Sequence, residues 1–406
     1  MTSAAQPATS EGQDPPDRRR LIFLLAGCSA LGPVSSLLVM PALPAIRDSF
    51  SASTAATQAV VSVFLIAYAF GILFAGPASD RFGRRPVVMT GMFIFIAGCV
   101  IAALAPTLGM LVVGRVVQAL GGAIGMTVAR AIVGDLYDDW RLARALANLT
   151  LAMMLGTTIS PYIGGVITEH LGWHANFIVM LIGSVVIAAM AWRMLPETRP
   201  ASLATRNARQ LLSSSAAVLR KPVFFACAVD AGVIYAVYLT FISVAPYVMS
   251  EMLGLPATDF GLYVLLLSGG YFLGNLYVSR RGNAQNMAQL SRIGSLVQAL
   301  SAFAALAFVL LGFTHPLYWF LPMFPLAVAQ GLSLPHITAT AVRLAPGFAG
   351  VASSLIGFSQ QAIAAASVQA MGFAPTSSPV PVLLFCAALS TASLLTMLVL
   401  RRAADA

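Results

Sequence analysis

The chain has 406 residues, of which 59% are hydrophobic and only 9% charged, and its mean hydropathy is +0.86. A soluble domain carries about 25% charged residues, so this chain has too few charges to cover a water-facing surface and is expected to lie in a bilayer. Its formal net charge of +9 would point a soluble protein towards nucleic acid, but here the arginines gather in short gaps between apolar runs, which argues against a nucleic-acid partner.

Residues 1–20 open the chain with Pro, Ser and Asp and are predicted to form a disordered cytoplasmic tail. Arg18-Arg19-Arg20 before an apolar run resembles a signal peptide, but the run is too long for one and is read as a retained first helix. A spanning helix needs about 20 apolar residues. Twelve such segments are predicted, at roughly 21–45, 55–76, 87–105, 109–131, 145–167, 174–194, 223–249, 258–278, 290–312, 317–337, 348–371 and 379–400. Long, continuous apolar runs favour helices over a barrel, whose strands alternate. With the N-terminus inside, the cytoplasmic gaps hold nearly all the loop arginines, and Arg47 stands alone outside. That asymmetry predicts a multi-pass protein of the cell inner (plasma) membrane with both termini cytoplasmic. Setting topology is a sufficient role for most of these arginines.

The longest internal polar stretch, 195–222, is predicted to be a cytoplasmic connector, with room for a short surface helix. It divides an N-terminal six-helix bundle, 21–194, from a C-terminal one, 223–400, and a short tail follows at 401–406. The expected fold is therefore an all-α membrane protein with twelve transmembrane helices in two pseudo-symmetric six-helix bundles. Gly274 to Gly282 (GNLYVSRRG) weakly echoes Gly76 to Arg84 at the matching place in the second half, without the Asp. Paired halves place a binding site between them near the midplane. Cys28, Cys99, Cys227 and Cys386 all fall in apolar segments without metal spacing and are expected to be small core residues.

GPASDRFGRRPV, Gly76 to Val87, packs a Pro, two Gly, an Asp and three Arg between the second and third segments. Gly76 and Gly83 permit a tight turn and close helix approach. Asp80 can accept hydrogen bonds from an arginine and from N–H groups at a helix N-terminus. Arg84 and Arg85 can pair with Asp135, Asp138 or Asp139 in a neighbouring loop. Such a cluster, Arg81 included, can latch two helix groups and break when they rock apart; a solvated basic turn is the open alternative.

Gly76-x-x-x-Asp80-Arg81-x-Gly83-Arg84-Arg85 resembles the loop 2–3 signature of the major facilitator superfamily, and the resemblance covers about residues 20 to 400. It implies that the Asp braces the start of the eleventh helix, near Pro346 to Ala352, in the outward-open state. LVVGRVVQALGGA, Leu111 to Ala123, looks like the family's fourth-helix motif, whose Arg is associated with proton coupling. Here that residue is Arg115, costly within a span unless it faces the interior and finds partners, with Gln118 on the same face. Anchoring backbone carbonyls is an alternative role, and the two are compatible. GTTISPYIGG, Gly156 to Gly165, looks like the fifth-helix antiporter motif, carried by Gly156, Pro161, Gly164 and Gly165, with Ser160 where the family has Gly. Generic Gly/Pro packing explains it as well.

Within the superfamily, MPALPAI (Met40 to Ile46), ARAIVGDLY (Ala129 to Tyr137), GWHANF (Gly172 to Phe177) and LPET (Leu195 to Thr198) resemble the bicyclomycin/chloramphenicol-resistance branch of drug:proton antiporters. That branch commonly has an acidic residue shortly before PALP, and this chain, SSLLVMPALP, has none. Asp230, the clearest acid inside a span, is the leading candidate for proton coupling or for recognition of a cationic drug. A structural carboxyl near the cytoplasmic mouth, hydrated or hydrogen-bonded, is its alternative, since Asp230 follows Pro222 by only eight residues.

Tyr68, Gln118, Met126, Met154, Tyr235, Tyr238, Phe241 and Gln361 occupy candidate interior positions where aromatic and thioether walls adapt to varied apolar ligands. Each alone fits helix packing or lipid contact as well. His170 and His174 are four apart with only Glu169 beside them, so no metal is expected, and the chain has no Walker, zinc or nucleophile-elbow signature. The expected protein is a monomeric, non-enzymatic efflux transporter without a cofactor. It exchanges drugs or amphiphilic small molecules for protons and draws on the proton gradient. A narrow-substrate carrier for a sugar, nucleoside or biosynthetic metabolite, with symport open to it, is the main rival. A membrane enzyme or receptor lacks the catalytic constellation or soluble domain it would need.

Overall fold

The computed structural model describes residues 16–137, 139–199, 215–282, 286–345 and 348–405. Among them are twelve helices long and apolar enough to cross a membrane: α1 Arg20–Ser49, α2 Thr54–Phe82, α3 Arg84–Ala103, α4 Leu108–Leu136, α5 Arg144–Leu171, α6 His174–Met194, α7 Pro222–Leu253, α8 Ala257–Arg281, α9 Met287–Leu310, α10 Leu317–Arg343, α11 Ala349–Met371 and α12 Val380–Leu398. Each matches a predicted segment. Several run further than expected at the end bearing the termini, as α2, α4 and α10 do, because polar residues there continue the helix after hydropathy has fallen. The predicted tail lies mostly outside the described residues, as does the connector between 200 and 214.

Local chemistry sets the ends. Ser53 and Thr107 accept hydrogen bonds from the N–H of Ala56 and Met110, at 3.2 and 3.3 Å, and so cap α2 and α4. Gly254 ends α7 at φ 62°, in the left-handed region. Within α1, Met40–Ala42 tightens into a 3-10 turn, where Pro41 and Pro44 lack the N–H groups that would continue α-helical bonding.

Among the described residues, buried apolar side chains form three clusters. One cluster lies towards the face opposite the termini and joins both six-helix sets, with Ile46, Val61 and Tyr68 from the first and Val244, Tyr247 and Val368 from the second. Towards the termini face the core splits. Val88, Ile132 and Ala191 belong to a cluster made only of the first set, and Phe224, Ile337 and Ile356 to one made of the second. The helix ends at the termini face therefore stand on separate cores.

Hydrogen bonds between the sets follow the same division. Gln58 donates to the Ser243 carbonyl at 3.0 Å, Ser62 to Gln369 at 2.6 Å, and Gln369 to the Ala55 carbonyl at 3.0 Å. Thr258 donates to Glu169 at 2.5 Å, and Arg47 pairs with Glu251. All sit in the halves of their helices nearer the opposite face. The molecule is thus sealed at that face. Just past mid-depth, Leu73 of α2 still packs on the second-set cluster and Phe70 lies edge-on to Phe358 of α11 with centroids 5.3 Å apart. Nearer the termini face no described hydrogen bond or ion pair joins the sets. Large apolar side chains cover the outside, such as Phe93 on α3, Ile182 on α6, Leu300 on α9 and Leu384 on α12, each more than half exposed. A belt of this kind needs lipid against it.

Candidate functional site

The charged turn is a built cluster. Gly83 joins α2 to α3 at φ 99°, a conformation that favours glycine. Arg84 donates to Asp80 at 2.5 Å, to Ser79 Oγ at 2.6 Å and to Asp135 at 2.8 Å, and is almost fully buried. Asp135 also accepts from Thr198 at 3.2 Å. Arg85 donates to the Trp192 carbonyl at 2.8 Å, and the Arg81 carbonyl accepts from Arg199 at 3.2 Å. Asp138 lies outside the described residues, as does the side chain of Asp139.

Helix-terminus capping belongs to a residue not expected to be in this cluster. The Glu197 carboxylate accepts from the backbone N–H groups of Arg84 at 2.8 Å, Arg199 at 3.0 Å and Arg85 at 3.3 Å, so it caps α3. Partial burial raises its affinity for a proton, but the backbone donors outweigh that and hold its pKa below the ordinary Glu value. The described partner of Asp80 is Arg84, and its side chain is 42% exposed. Of the segment expected to receive Asp80, Pro346 and Gly347 lie outside the described residues. Among the described residues the bonds of this cluster tie α2, α3, α4 and the end of α6 together, all within the first set.

Arg115 is fully buried in the first set. It donates to Gln118 Oε1 at 2.6 Å, Ser35 Oγ at 2.7 Å and the Val60 carbonyl at 3.2 Å, and sits 3.9 Å from the Phe64 ring centroid. It thereby joins α1, α2 and α4, as the anchoring alternative requires. Gln118 is equally buried and donates to Cys99 Sγ at 3.0 Å; it is Arg115's partner inside the first set.

On α5, a Cβ at Gly156 would lie 3.3 Å from Val34, and one at Gly164 would strike the Leu38 carbonyl of α1. A Cβ at Gly165 would strike the Ala257 carbonyl next to α8, and one at Gly261 of α8 would lie 2.5 Å from Tyr162 Cα. The motif thus presses α5 against α1 on one side and against the second set on the other. Pro161 has no N–H for the Thr157 carbonyl, and Ser160 Oγ donates to that carbonyl at 3.0 Å. The serine repairs the bond that the proline removes, which gives its departure from the family pattern a physical reason.

Asp230 has no exposure, so it is not the hydrated form of its structural alternative, while its bond to Ser393 is the hydrogen-bonded form. Its Oδ1 accepts from Ser393 of α12 at 2.6 Å, and its Oδ2 has no partner among the described residues. It faces α12 in its own set. Arg115 is seven residues from the opposite-face end of α4, about 10 Å, whereas Asp230 is eight residues from the termini-face end of α7, about 12 Å. The two candidate coupling residues therefore lie at opposite depths and are not brought together.

Of the remaining cavity candidates, Phe241 is core, packed edge-on against Phe320 with centroids 5.0 Å apart, and Met154 is buried at 7% exposure. The others converge where the sets face each other. Tyr68 donates to Met126 Sδ at 2.9 Å. Tyr235 lies beside Gln361, and the Tyr238 hydroxyl is 3.4 Å from Ser268 Oγ. Two further neighbours join them, a tyrosine from the wider set of candidate interior positions and an arginine that sequence reasoning missed. Tyr271 of α8 lies in electrostatic range of Tyr235 and Tyr238, and Arg130 of α4 in range of Tyr68 and Tyr271. Arg130 stands inside the ARAIVGDLY run, and an arginine within a span is itself a signal.

A profile of the Major Facilitator Superfamily matches residues 23–368. An uncharacterized transporter of Rickettsia felis is 25% identical over 337 residues, 80% of this chain and 83% of its own length. Multidrug resistance protein MdtL of Escherichia coli O81 is 30% identical over 239 residues, 59% of this chain and 60% of its own. Among solved structures, a bacterial homolog of the human lysosomal transporter Spinster, in an inward-facing and occupied conformation, has a TM-score of 0.73 at 16% identity, covering 96% of this chain and 98% of its own. The peptide transporter POT in complex with alafosfalin has a TM-score of 0.77 at 16% identity, covering 98% and 96%. With twelve spans, a matching profile over most of its length and the fold of solved members, the chain belongs to the major facilitator superfamily and is a multi-pass membrane transporter.

Proposed function

We propose that this transporter exports drugs or other amphiphilic small molecules across the inner membrane in exchange for protons, by alternating access. The observation that carries the reading is the arrangement of the two sets. They are sealed by side-chain contacts at one face and stand on separate cores at the other, with tyrosine, methionine and glutamine side chains between them at mid-depth. With both termini in the cytoplasm, the parted face is the inner one, so this conformation takes substrate from inside.

Asp230 is the proton carrier in this reading. An ionised carboxylate buried with a single donor is costly, so in this reading the inward-facing state takes up the proton, at the Oδ2 that has no partner among the described residues. Motion of α7 against α12 on switching admits water and releases that proton. Arg115 is assigned the anchoring role near the opposite face. Closing the inner face carries α2 to α11 and lets Asp80 exchange Arg84 for the start of α11, which stabilises the outward-open state. The kinship with multidrug resistance protein MdtL supports the choice of substrate.

A growth-inhibition panel in a host stripped of its own exporters tests the breadth of the pump. Protection against several unrelated amphiphiles is expected. Protection against none, or against one compound only, would replace this reading with a narrow-substrate carrier.

A further inference from the structure

Arg130 is an arginine whose compensation is missing. It lies on α4, six residues before Leu136. Side chains on a helix lean towards its N-terminus, so from this position Arg130 reaches away from the nearer membrane face and towards mid-depth. Arg130 follows Met126 by one helical turn and so shares its face, and Met126 Sδ accepts from Tyr68 at 2.9 Å. Tyr68 is the midpoint residue of Thr54–Phe82, and Tyr271 belongs to α8 of the other set. Met126 packs on the same core cluster as Tyr235, Tyr238 and Tyr271 of the other set, so the face of α4 that carries Met126 and Arg130 is turned to the space between the sets. It is exposed to solvent there, with protein on most sides.

No carboxylate answers it. Among the described residues Arg130 has neither an ion pair nor a side-chain hydrogen bond, and its electrostatic neighbours are the two phenols. Asp230 is spent on Ser393 inside the second set. Glu169, Glu251 and Thr258 seal the opposite face, where Arg47 also sits. The mid-depth lining is thus one guanidinium, several tyrosines and an amide, Gln361, whose Oε1 is buried without a partner. An uncompensated cation at membrane depth is costly and marks a pathway or a ligand.

We propose that the central site binds aromatic molecules carrying a carboxylate, as anions or zwitterions, with Arg130 gripping the carboxylate through its planar fork. Tyr235, Tyr238 and Tyr271 supply flat amphipathic walls for the ring system, and Tyr68, only 2% exposed, backs them from the core. Gln361 Oε1 accepts from a donor elsewhere on the ligand. This deepens the export reading and rests on it for the direction of movement only; binding is independent of proton exchange. It departs from the alternative in which the site selects cations through Asp230.

The test is binding of a matched dye pair to the full-length protein in lipid nanodiscs. Rhodamine B has a free carboxylate and its ethyl ester has none, so the ring system is held constant. Fluorescence anisotropy should show the acid binding at least about tenfold more tightly than the ester. Arg130→Gln should abolish that preference by weakening the acid alone, and Arg130→Lys should keep part of it, with melting temperatures showing that both variants are folded. The wild-type ratio stands as a measurement even where a variant fails to fold. Absence of acid binding, an ester bound as well as the acid, or a preference unchanged in Arg130→Gln would overturn the proposal. Arg130-dependent binding of the acid with no proton movement in vesicles would leave the site standing and remove the export reading. Proton movement driven by the ester and not by the acid would do the reverse.

Discussion

Arg115→Met separates an anchoring arginine from a coupling one. The substitution keeps a long unbranched side chain and removes every donor. The guanidinium has four acceptors within 3.4 Å: Gln118 Oε1, Ser35 Oγ, and the carbonyls of Val60 and Ser35. At about 0.6 kcal/mol for each such bond in a membrane protein, they contribute about 2.4 kcal/mol. The face of Phe64, 3.9 Å away, adds about 2 kcal/mol as a desolvated cation–π contact. One nitrogen, Nη2, is buried without a partner, and losing that orphan returns about 1 kcal/mol. The net expectation is a loss of about 3 kcal/mol, roughly a hundredfold in the unfolding equilibrium. Denaturant unfolding in mixed micelles, followed by tryptophan fluorescence, measures it. Proton exchange per turnover should survive in the molecules that remain folded. A stability loss under about 1 kcal/mol, or full stability with abolished proton exchange, would refute the anchoring argument.

Other perturbations address the switch and its supports. Gly261→Val places a side chain where Tyr162 Cα is 2.5 Å from the new Cβ, and overpacking of this kind costs about 1–3 kcal/mol. The sealed opposite face should open, and maleimide labelling of a cysteine at Ser62 should rise by about tenfold; unchanged labelling would contradict the role given to α5 and α8. A Cβ at Gly76 would meet no atom within 4 Å in this conformation, so Gly76→Leu should leave the melting temperature alone yet slow turnover by obstructing the approach of α2 to α11. Asp80→Ala should likewise slow turnover while substrate affinity holds, and an unaltered rate in either variant would argue against the brace. The Glu197 proton affinity is lowered on folding, so its contribution is complete above the unfolded Glu value of about 4.3 and is lost only as pH falls further. Thermal stability should therefore be equal at pH 6 and pH 8 as far as this cap is concerned, and Glu197→Gln should lower it at both by about 1 kcal/mol.

The twelve spans were legible because burial in lipid demands long apolar runs, a signal carried by composition alone. The charged turn was legible in its residues but not in its wiring. The pairing of Arg84 with Asp135 follows from proximity of neighbouring loops, whereas capping by Glu197 does not, since LPET lies more than a hundred residues from Gly83 in sequence. Gln118 was recognised as sharing a face with Arg115, yet hydropathy does not distinguish an interior partner from a cavity wall. Phe241 shows the same blindness, because a phenylalanine facing a cavity and one facing Phe320 look alike in sequence. Asp230 stood out as the acid within a span, but which neighbouring helix it faces depends on helix rotation, which is set by packing. Arg130 was visible within a quoted motif and passed over, because its meaning depends on what lies across from it in the other set.

Proton movement in everted membrane vesicles tests the central claim most directly. Vesicles energised to hold a pH gradient are challenged with a panel of antibiotics and aromatic dyes, in wild type and in Asp230→Asn at matched expression. The account predicts gradient loss that depends on the compound and vanishes in the variant. Compound-dependent loss that persists in Asp230→Asn, or no loss with any compound in the wild type, would contradict it.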